Sequence, residues 1–488
     1  MKSFHRLSGA LAALVFPVAA FAGAGQLDTT FAWNGFRLLD FTQSATHNDV
    51  LGAVAVTADQ RIVTVGIANL TGSTLDLGIA RTLANGATDT TFGNGTGMLV
   101  LPGSSFQPGG TFSAYAMALQ PDGRIVVAGT YTGPGSSSND FLIARVLADG
   151  SGPDTTFGAN GIVVVPFDIG GEKIDVATAV AVQSDGRIVA AGAARISAND
   201  ADFALVRLNA NGSLDVTFDG DGKKTVWFDL GNAAQGYYDT ASAIELQGDG
   251  KIVVAGSAVT AADGYDMVVA RLTSTGALDG TFGNIGAGKS RVGFFAGRDD
   301  IANAVAVSEL VVNPAGSRRI VIAGSAMATA TDSDFAVAVL KDDGQLDSAF
   351  SGDGRTTIPF NLGAQPADTA NAVMIQNGWT NVGSVPLQTR RIVVGGSAYG
   401  NVPSPHHEFA LARLGFNGTL DATFGTAGKL HYAGDVDGNT QPNSAGVDAM
   451  ARQGDYLVIA GTTQVMHGFP GLPIVDTDFY LSRVTLTP

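Results

Sequence analysis

Carboxylates are the chemistry-bearing residues of this sequence, and they recur at fixed places. Asp49, Asp175, Asp239, Asp300 and Asp368 each open an alternating stretch of the type AxAV, while Phe112 and Ser444 stand where two further copies would carry Asp. A second set, Asp76, Asp140, Asp202, Asp266, Asp334, Glu408 and Asp478, each precedes a run such as DFALVRL. Gathered on one face, such groups make an acidic mouth that attracts cations or a basic partner. A pair at the right separation can do acid and nucleophile work on a glycosidic bond. The plainer role is to accept hydrogen bonds from neighbouring loop amides.

A third repeated polar set is charged on an apolar face. Phe203, Leu205 and Arg207 share one side of a strand at period two. An unpaired buried charge costs roughly 3–5 kcal/mol, so the Arg needs a partner. The nearest repeated acid is the Asp of LDxTF, eight residues on: Arg207 with Asp215, Arg271 with Asp279, Arg413 with Asp421. These are expected to form bidentate structural pairs. Val339 replaces the Arg in one copy and leaves Asp347 without it.

Other constellations are thin. DVDGN from Asp435 and DGDG from Asp219 offer closely spaced oxygens, so calcium is the one cofactor the residues admit, but otherwise none is expected. As an EF-hand the first fails: Thr440 stands where Gly is needed and Gly446 where the bidentate Glu belongs. The six His (5, 47, 406, 407, 431 and 467) lack zinc spacing, and His406-His407, beside two prolines, reads as an exposed loop. No G-x-S-x-G elbow occurs. Trp33, Trp227 and Trp379 are too few for a quinone-type propeller dehydrogenase. FGxxG turns lack the Lys-Ser/Thr and helix of a phosphate loop. No catalytic residue is assigned and no metal ligand set is named.

The elements that must position these residues are repeats. LDxTF-type segments place Asp at 28, 89, 154, 215, 279, 347 and 421, spaced by 61, 65, 61, 64, 68 and 74 residues. A basic residue leads an apolar run ending in Gly at Arg61, Arg124, Arg187, Lys251, Arg319 and Arg391, with Tyr456 in the divergent last copy. Each unit holds four strand-like runs bounded by Gly, Asp and Asn, with PDGR, SDGR and GDGK as hairpin turns. Four short antiparallel strands repeated about every 60 residues predict a β-propeller, here of seven blades; a β-solenoid is the structural rival.

The segments LDxTFGxxG, DxAxAVAVQxDGKIVVAG and DFALARL resemble the delta-60 repeat of bacterial secreted and surface proteins over residues 27 to 488. The resemblance implies a propeller-like fold and no assigned activity. Placing the AxAV strand innermost, as in the similar WD-type blades, makes residues 33 to 41 the outer strand of the seventh blade. Closure then pairs the two ends of the chain and leaves no open sheet edge at the seam.

Residues 1 to 22 read as a signal peptide: Lys2 and Arg6, an apolar stretch from Leu7, and Ala20-Phe21-Ala22 as a cleavage site. The alternative is an uncleaved anchor. Removing Lys2 and Arg6 leaves 26 basic against 44 acidic residues, a charge of −18, which argues against nucleic acid and anionic membrane. Zero cysteines exclude disulfides and thiolate metal sites. The remainder, 23–488, is expected to be a single monomeric domain, periplasmic or extracellular, without a membrane span. The function expected is an interaction module binding a protein, glycan or surface component through variable loops. The alternative is a propeller hydrolase or lyase with carboxylates at the channel mouth. The site residues to weigh are the mouth acids Asp49, Asp175, Asp239, Asp300 and Asp368.

Overall fold

The computed structural model describes residues 23–32, 34–41, 48–69, 75–103, 110–134, 138–169, 173–232, 234–262, 264–308, 318–363, 367–382, 385–400, 406–432, 445–467 and 474–487. The expected signal segment lies outside these, as do Trp33, Ser444 and the DVDGN segment.

The described chain is all-β apart from a single 3₁₀ turn at Gly93–Gly95. Four strand roles recur in order. First strands are Val50–Val56, Thr111–Leu119, Asp175–Val182, Tyr237–Leu246, Asp300–Ser308, Thr369–Val382 and Ala449–Gln453. Second strands are Ile62–Ala68, Ile125–Thr132, Ile188–Ser197, Ile252–Thr260, Arg319–Thr329, Val385–Gly400 and Tyr456–His467. Third strands are Asp76–Thr82, Asn139–Val146, Asp200–Leu208, Gly264–Leu272, Asp332–Lys341, His406–Gly415 and Ile474–Thr485. Fourth strands are Met98–Leu101, Ile162–Val165, Lys223–Val226, Lys289–Val292, Arg355–Ile358, Lys429–Tyr432 and, from the other end of the chain, Phe36–Leu39.

Each set of four is antiparallel, giving five four-stranded sheets and one of eight strands. The eight-stranded sheet is two such sets joined by a short parallel pairing, Asp200 with Tyr237 and Ala201 with Tyr238. The strand Phe36–Leu39 pairs with Ile474–Thr485 in the last sheet, Leu39 opposite Phe479. First strands lie side by side in sequence order, and Ala449–Gln453 packs back against Val50–Val56.

Packing follows composition. The apolar run at the heart of each second strand is buried, Ile188 and Val189 or Ile252, Val253 and Val254 for example, as expected for strands covered on both faces. Every apolar cluster takes residues from two successive sheets, such as Phe203 and Leu205 with Val254 and Val268. The last cluster joins Phe479 and Leu481 to Leu51 and Ile62 of the first full sheet. The Gly ending each second-strand run is fixed by a close approach. A Cβ at Gly192 would sit 1.8 Å from the Val176 carbonyl oxygen, and one at Gly256 2.0 Å from that of Thr240. Both carbonyls stand just before a slip in first-strand register, between Ala177 and Ala179 and between Ala241 and Ala243. A bulge of this kind pushes the backbone toward its partner, and only Gly leaves room.

Candidate functional site

The third-strand Arg is the centre of a repeated hub. Arg207 Nε donates to Asp215 Oδ2 at 2.7 Å and Nη2 to Thr217 Oγ1 at 3.0 Å. Its Nη1 donates to the Ser274 carbonyl in the next set of strands, and its guanidinium lies 4.8 Å over the ring of Phe218. Arg271 repeats this with Asp279 at 2.8 Å, the Asp342 carbonyl at 2.7 Å and the Phe282 ring at 4.7 Å. Arg413 lies 3.1 Å from Asp421 and 4.9 Å over Phe424. The expected bidentate fork is corrected to contact through one carboxylate oxygen. Oδ1 of Asp215 is already taken by the Thr217 amide at 3.1 Å and hydroxyl at 2.7 Å.

Each of these carboxylates has a second cation that sequence reasoning missed. Arg187 Nε lies 3.0 Å from Asp215, Lys251 Nζ 3.0 Å from Asp279 and Arg391 Nε 2.7 Å from Asp421. The signal was the basic residue leading every second-strand run but the last. At Asp347, Arg319 Nε bonds Oδ2, so Val339 leaves that acid with a cation after all. Burial alone would raise these carboxyls. The Thr423 hydroxyl, Arg391, the Thr423 amide and Arg413 outweigh it and hold Asp421 at about 2. An acid so fully bonded and permanently ionised is a structural group at neutral pH.

The five opening acids weighed for the channel mouth are all buried. Each is at most 1% exposed and sunk between two sets of strands. Oδ2 accepts a backbone N–H from Phe41 at 3.2 Å for Asp49, Phe167 at 2.7 Å for Asp175 and Phe228 at 2.5 Å for Asp239. Asp300 and Asp368 accept from Phe294 at 2.5 Å and Phe360 at 2.7 Å. Across each junction stands an acid of the second set: Asp140 acts on Asp175, Asp202 on Asp239 and Asp266 on Asp300. Burial, with the neighbouring acids adding to it, pushes Asp239 up to about 7. Burial likewise takes Asp202, Asp300 and Asp334 to about 6.

What faces the third-strand acid from the fourth strand differs between junctions. Two residues beyond it, the partner across the ladder is Thr225 after Asp202, Arg291 after Asp266, Thr357 after Asp334 and His431 after Glu408. Arg291 Nε bonds Asp266 Oδ2. His431 Nδ1 lies 2.7 Å from Glu408 Oε2 and His406 Nε2 3.1 Å from Oε1. His406 is therefore not in an exposed loop. It begins a strand, pairs with Gly400, and is 4% exposed because Glu408 receives its ring.

A further polar set escaped the sequence reading. The bulged residues of the first strands are Gly52, Tyr115, Thr178, Ser242, Asn303 and Asn371, and three of them, Thr178, Asn303 and Asn371, link one first strand to the next. Thr178 Oγ1 donates to the Ala241 carbonyl at 2.7 Å, Asn303 Nδ2 to that of Ala370 at 2.9 Å and Asn371 Nδ2 to that of Val447 at 3.0 Å. Asp448 follows Val447 at the corresponding place in the last copy, accepts the Thr462 amide at 2.9 Å, and is pushed by burial to about 6. The opening register of that copy belongs to Ala445, which bridges to Thr463; its turn is one residue shorter than the others, which displaces the count that pointed to Ser444. In DGDG, Lys224 Nζ lies 3.0 Å from Asp219, and Asp221 accepts the Lys223 amide at 2.8 Å.

Six segments, 57–92, 120–157, 183–218, 247–282, 317–350 and 388–424, match the model of a β-propeller domain of unknown function (DUF5122). The chain therefore carries β-propeller repeats of that kind. Each match ends on the Phe under the hub Arg, or its counterpart Phe350, and leaves out the opening acids. No curated protein matches the sequence. Among solved structures, Drosophila semaphorin 2a is similar at 10% identity and a TM-score of 0.46, covering 96% of this chain and 76% of its own. A PL25 ulvan lyase bound to a sugar ligand gives 9% identity and a TM-score of 0.42, covering 90% and 95%. A Trypanosoma rangeli sialidase gives 9% and 0.36, covering 91% of this chain and 57% of its own. At such scores these likenesses carry no functional argument.

Proposed function

We propose that residues 23–488 form an exported, closed seven-bladed propeller of the delta-60 type that serves as a binding module, holding its partner with the variable connections at one end of the sheets. The observation that carries this is the inequality of the two ends. At one end lie the hubs and the first-to-second connections, five residues long and bonded in one pattern in four copies (57–61, 120–124, 183–187 and 247–251), with 309–318 the long exception. At the other, connections between second and third strands range from residues 198–199 to 69–75, and the exposed aromatics Trp227 and Tyr432, 55% and 38% accessible, end two fourth strands there. Variable loops on a rigid frame are where recognition is normally built, and accessible Trp and Tyr suit it. The partner class is a protein, glycan or surface component. The blade count is supported by the four-strand sets and by the return of Ala449–Gln453 to Val50–Val56.

The test is array binding, glycan and peptide, by the full chain. The comparison is a variant with 401–405, 433–444 and 468–473 shortened to tight turns, and with Trp227→Ala. Binding lost at unchanged melting temperature is expected. Release of reducing ends or unsaturated sugar from a bound glycan would replace this reading with the hydrolase or lyase alternative. Such an enzyme needs an accessible acid, whereas Asp175, Asp239, Asp300 and Asp368 are buried against backbone amides.

A further inference from the structure

Asp200, Asp202 and Asp229 bring one carboxylate oxygen each within 4.8 Å of one another. They meet where the eight-stranded sheet is made. Parallel pairing of Asp200 with Tyr237 and Ala201 with Tyr238 brings Asp202 level with Asp239 on the next strand. Asp229 arrives from the link between them, held at a φ of +50°. Asp239 is fully buried, and its Oδ2 accepts the Phe228 and Asp229 amides. Its Oδ1 has no hydrogen-bond partner, and Asp202 and Asp229 press on the group while Lys289 opposes them. Oδ1 of Asp200 is buried without a partner as well. A buried carboxylate oxygen without a hydrogen-bond partner is costly for a native fold to keep.

Two other junctions set a cation against the third-strand acid. Arg291 bonds Asp266 from the fourth strand, and His431 does the same for Glu408. Here that ladder position is Thr225, which brings no charge. The nearest cation is Lys289, whose Nζ is spent on the Trp227 carbonyl and lies 3.5 Å over the indole. One ammonium leaves four carboxylates short of neutrality.

We propose that Asp200, Asp202 and Asp229, beside the buried carboxylate of Asp239, bind a calcium ion that ties two neighbouring sets of strands together. The donors are all hard oxygens, which select calcium, magnesium or manganese over zinc or copper. Calcium keeps oxygens about 2.3–2.6 Å away and so spans ligand pairs up to roughly 5 Å apart. Magnesium demands about 2.1 Å and near-ideal octahedral geometry. Oxygens within 4.8 Å of one another fit inside the calcium span. The ion would do for this junction what Arg291 does for the next.

The full chain, stripped with chelator, is titrated with calcium chloride by calorimetry and with terbium by emission sensitised through Trp227, which precedes Phe228 in the link. One saturable calcium event with a Kd of about 10⁻⁵–10⁻³ M is expected, the range of extracellular calcium modules and sensors, with terbium displaced by calcium. Asp202→Asn should weaken it at least tenfold. Asp229→Asn tests the same contact from an exposed loop where Asn accepts the left-handed backbone, so the fold is kept, and it too should weaken binding tenfold. Absence of both heat and sensitised emission overturns the proposal. Calcium binding unchanged in Asp229→Asn also overturns it, since the ion would then sit elsewhere, as would magnesium binding tighter than calcium.

Discussion

Arg483 Nε lies 2.7 Å from Asp28 Oδ2, although the two residues are 455 positions apart in the chain. Arg483 also donates to the Ala84 carbonyl at 2.6 Å and lies 5.0 Å over Phe31 and 4.3 Å over Tyr456. One guanidinium thus joins the N-terminal segment, the last sheet and the loop after Asp76–Thr82. Asp28→Ala strands it in a buried site and should cost about 3–5 kcal/mol in urea unfolding. Removing residues 27–39 goes further by baring the edge of Ile474–Thr485, so dimers or aggregates are expected on size exclusion. A truncated chain that stays monomeric with an unchanged midpoint would show that the seam contributes nothing.

Arg319 is the cation bonded to Asp347, with Arg390 acting on it from farther off, where Asp215, Asp279 and Asp421 are each met by two cations. Asp215 is approached by both Arg187 and Arg207, but at Asp347 the third-strand position is Val339. Arg319→Ala is therefore expected to lose about 3 kcal/mol, the scale for orphaning a buried charge. Arg187→Ala should lose about 1 kcal/mol, since Arg207 remains in place. Equal losses would mean that the second cation adds nothing to the hub.

Gly256 tests the packing of second strand on bulge. Its substitution by Ala drives a methyl into the Thr240 carbonyl, where backbone on both sides must move. A loss of about 3 kcal/mol is expected, at the upper end for overpacking. Gly280→Ala has open space around the new Cβ and serves as the control. Comparable melting temperatures for the two variants would refute the close approach.

The regular parts of the molecule were legible because repetition multiplies a weak signal. Seven copies of an alternating DFALVRL run expose the strand, and seven Gly-bearing turns expose its neighbours. The Arg207–Asp215 partnership was readable for the same reason, since an apolar face forces a charge to find the nearest repeated acid. What stayed hidden depends on relations between copies. Nothing local to Asp239 says that Asp202 of the preceding copy stands beside it, and nothing in RIVAAG says that Arg187 reaches Asp215. Thr178 looks like an ordinary strand residue until a one-residue slip in register turns it toward Ala241. His406 was misread because two prolines imply a loop, while the cross-strand Glu408 that buries it is invisible to local composition.

Stability should fall between pH 4 and 7 in chelator, the reverse of the usual carboxylate trend. Asp202, Asp300, Asp334 and Asp448 are pushed by burial to about 6 and Asp239 to about 7. An acid whose folded value lies above its unfolded one takes up a proton on folding. Its contribution is full below the ordinary value of 3.8 and is lost as pH rises through the folded value. The hub acids have the opposite sign: Asp421, held at about 2, contributes above 3.8 and loses that contribution as pH falls toward 2. The two classes place the maximum at about pH 4–5, with a decline of a few degrees in melting temperature on going to about pH 7.5. Asp239→Asn, which copies the protonated form, should flatten that decline, and saturating calcium should do so in the unaltered chain. Melting temperatures that climb steadily from pH 4 to pH 7.5 in chelator would show that these buried acids are ionised in the folded protein without penalty, and that the junctions are compensated by groups other than the ones described.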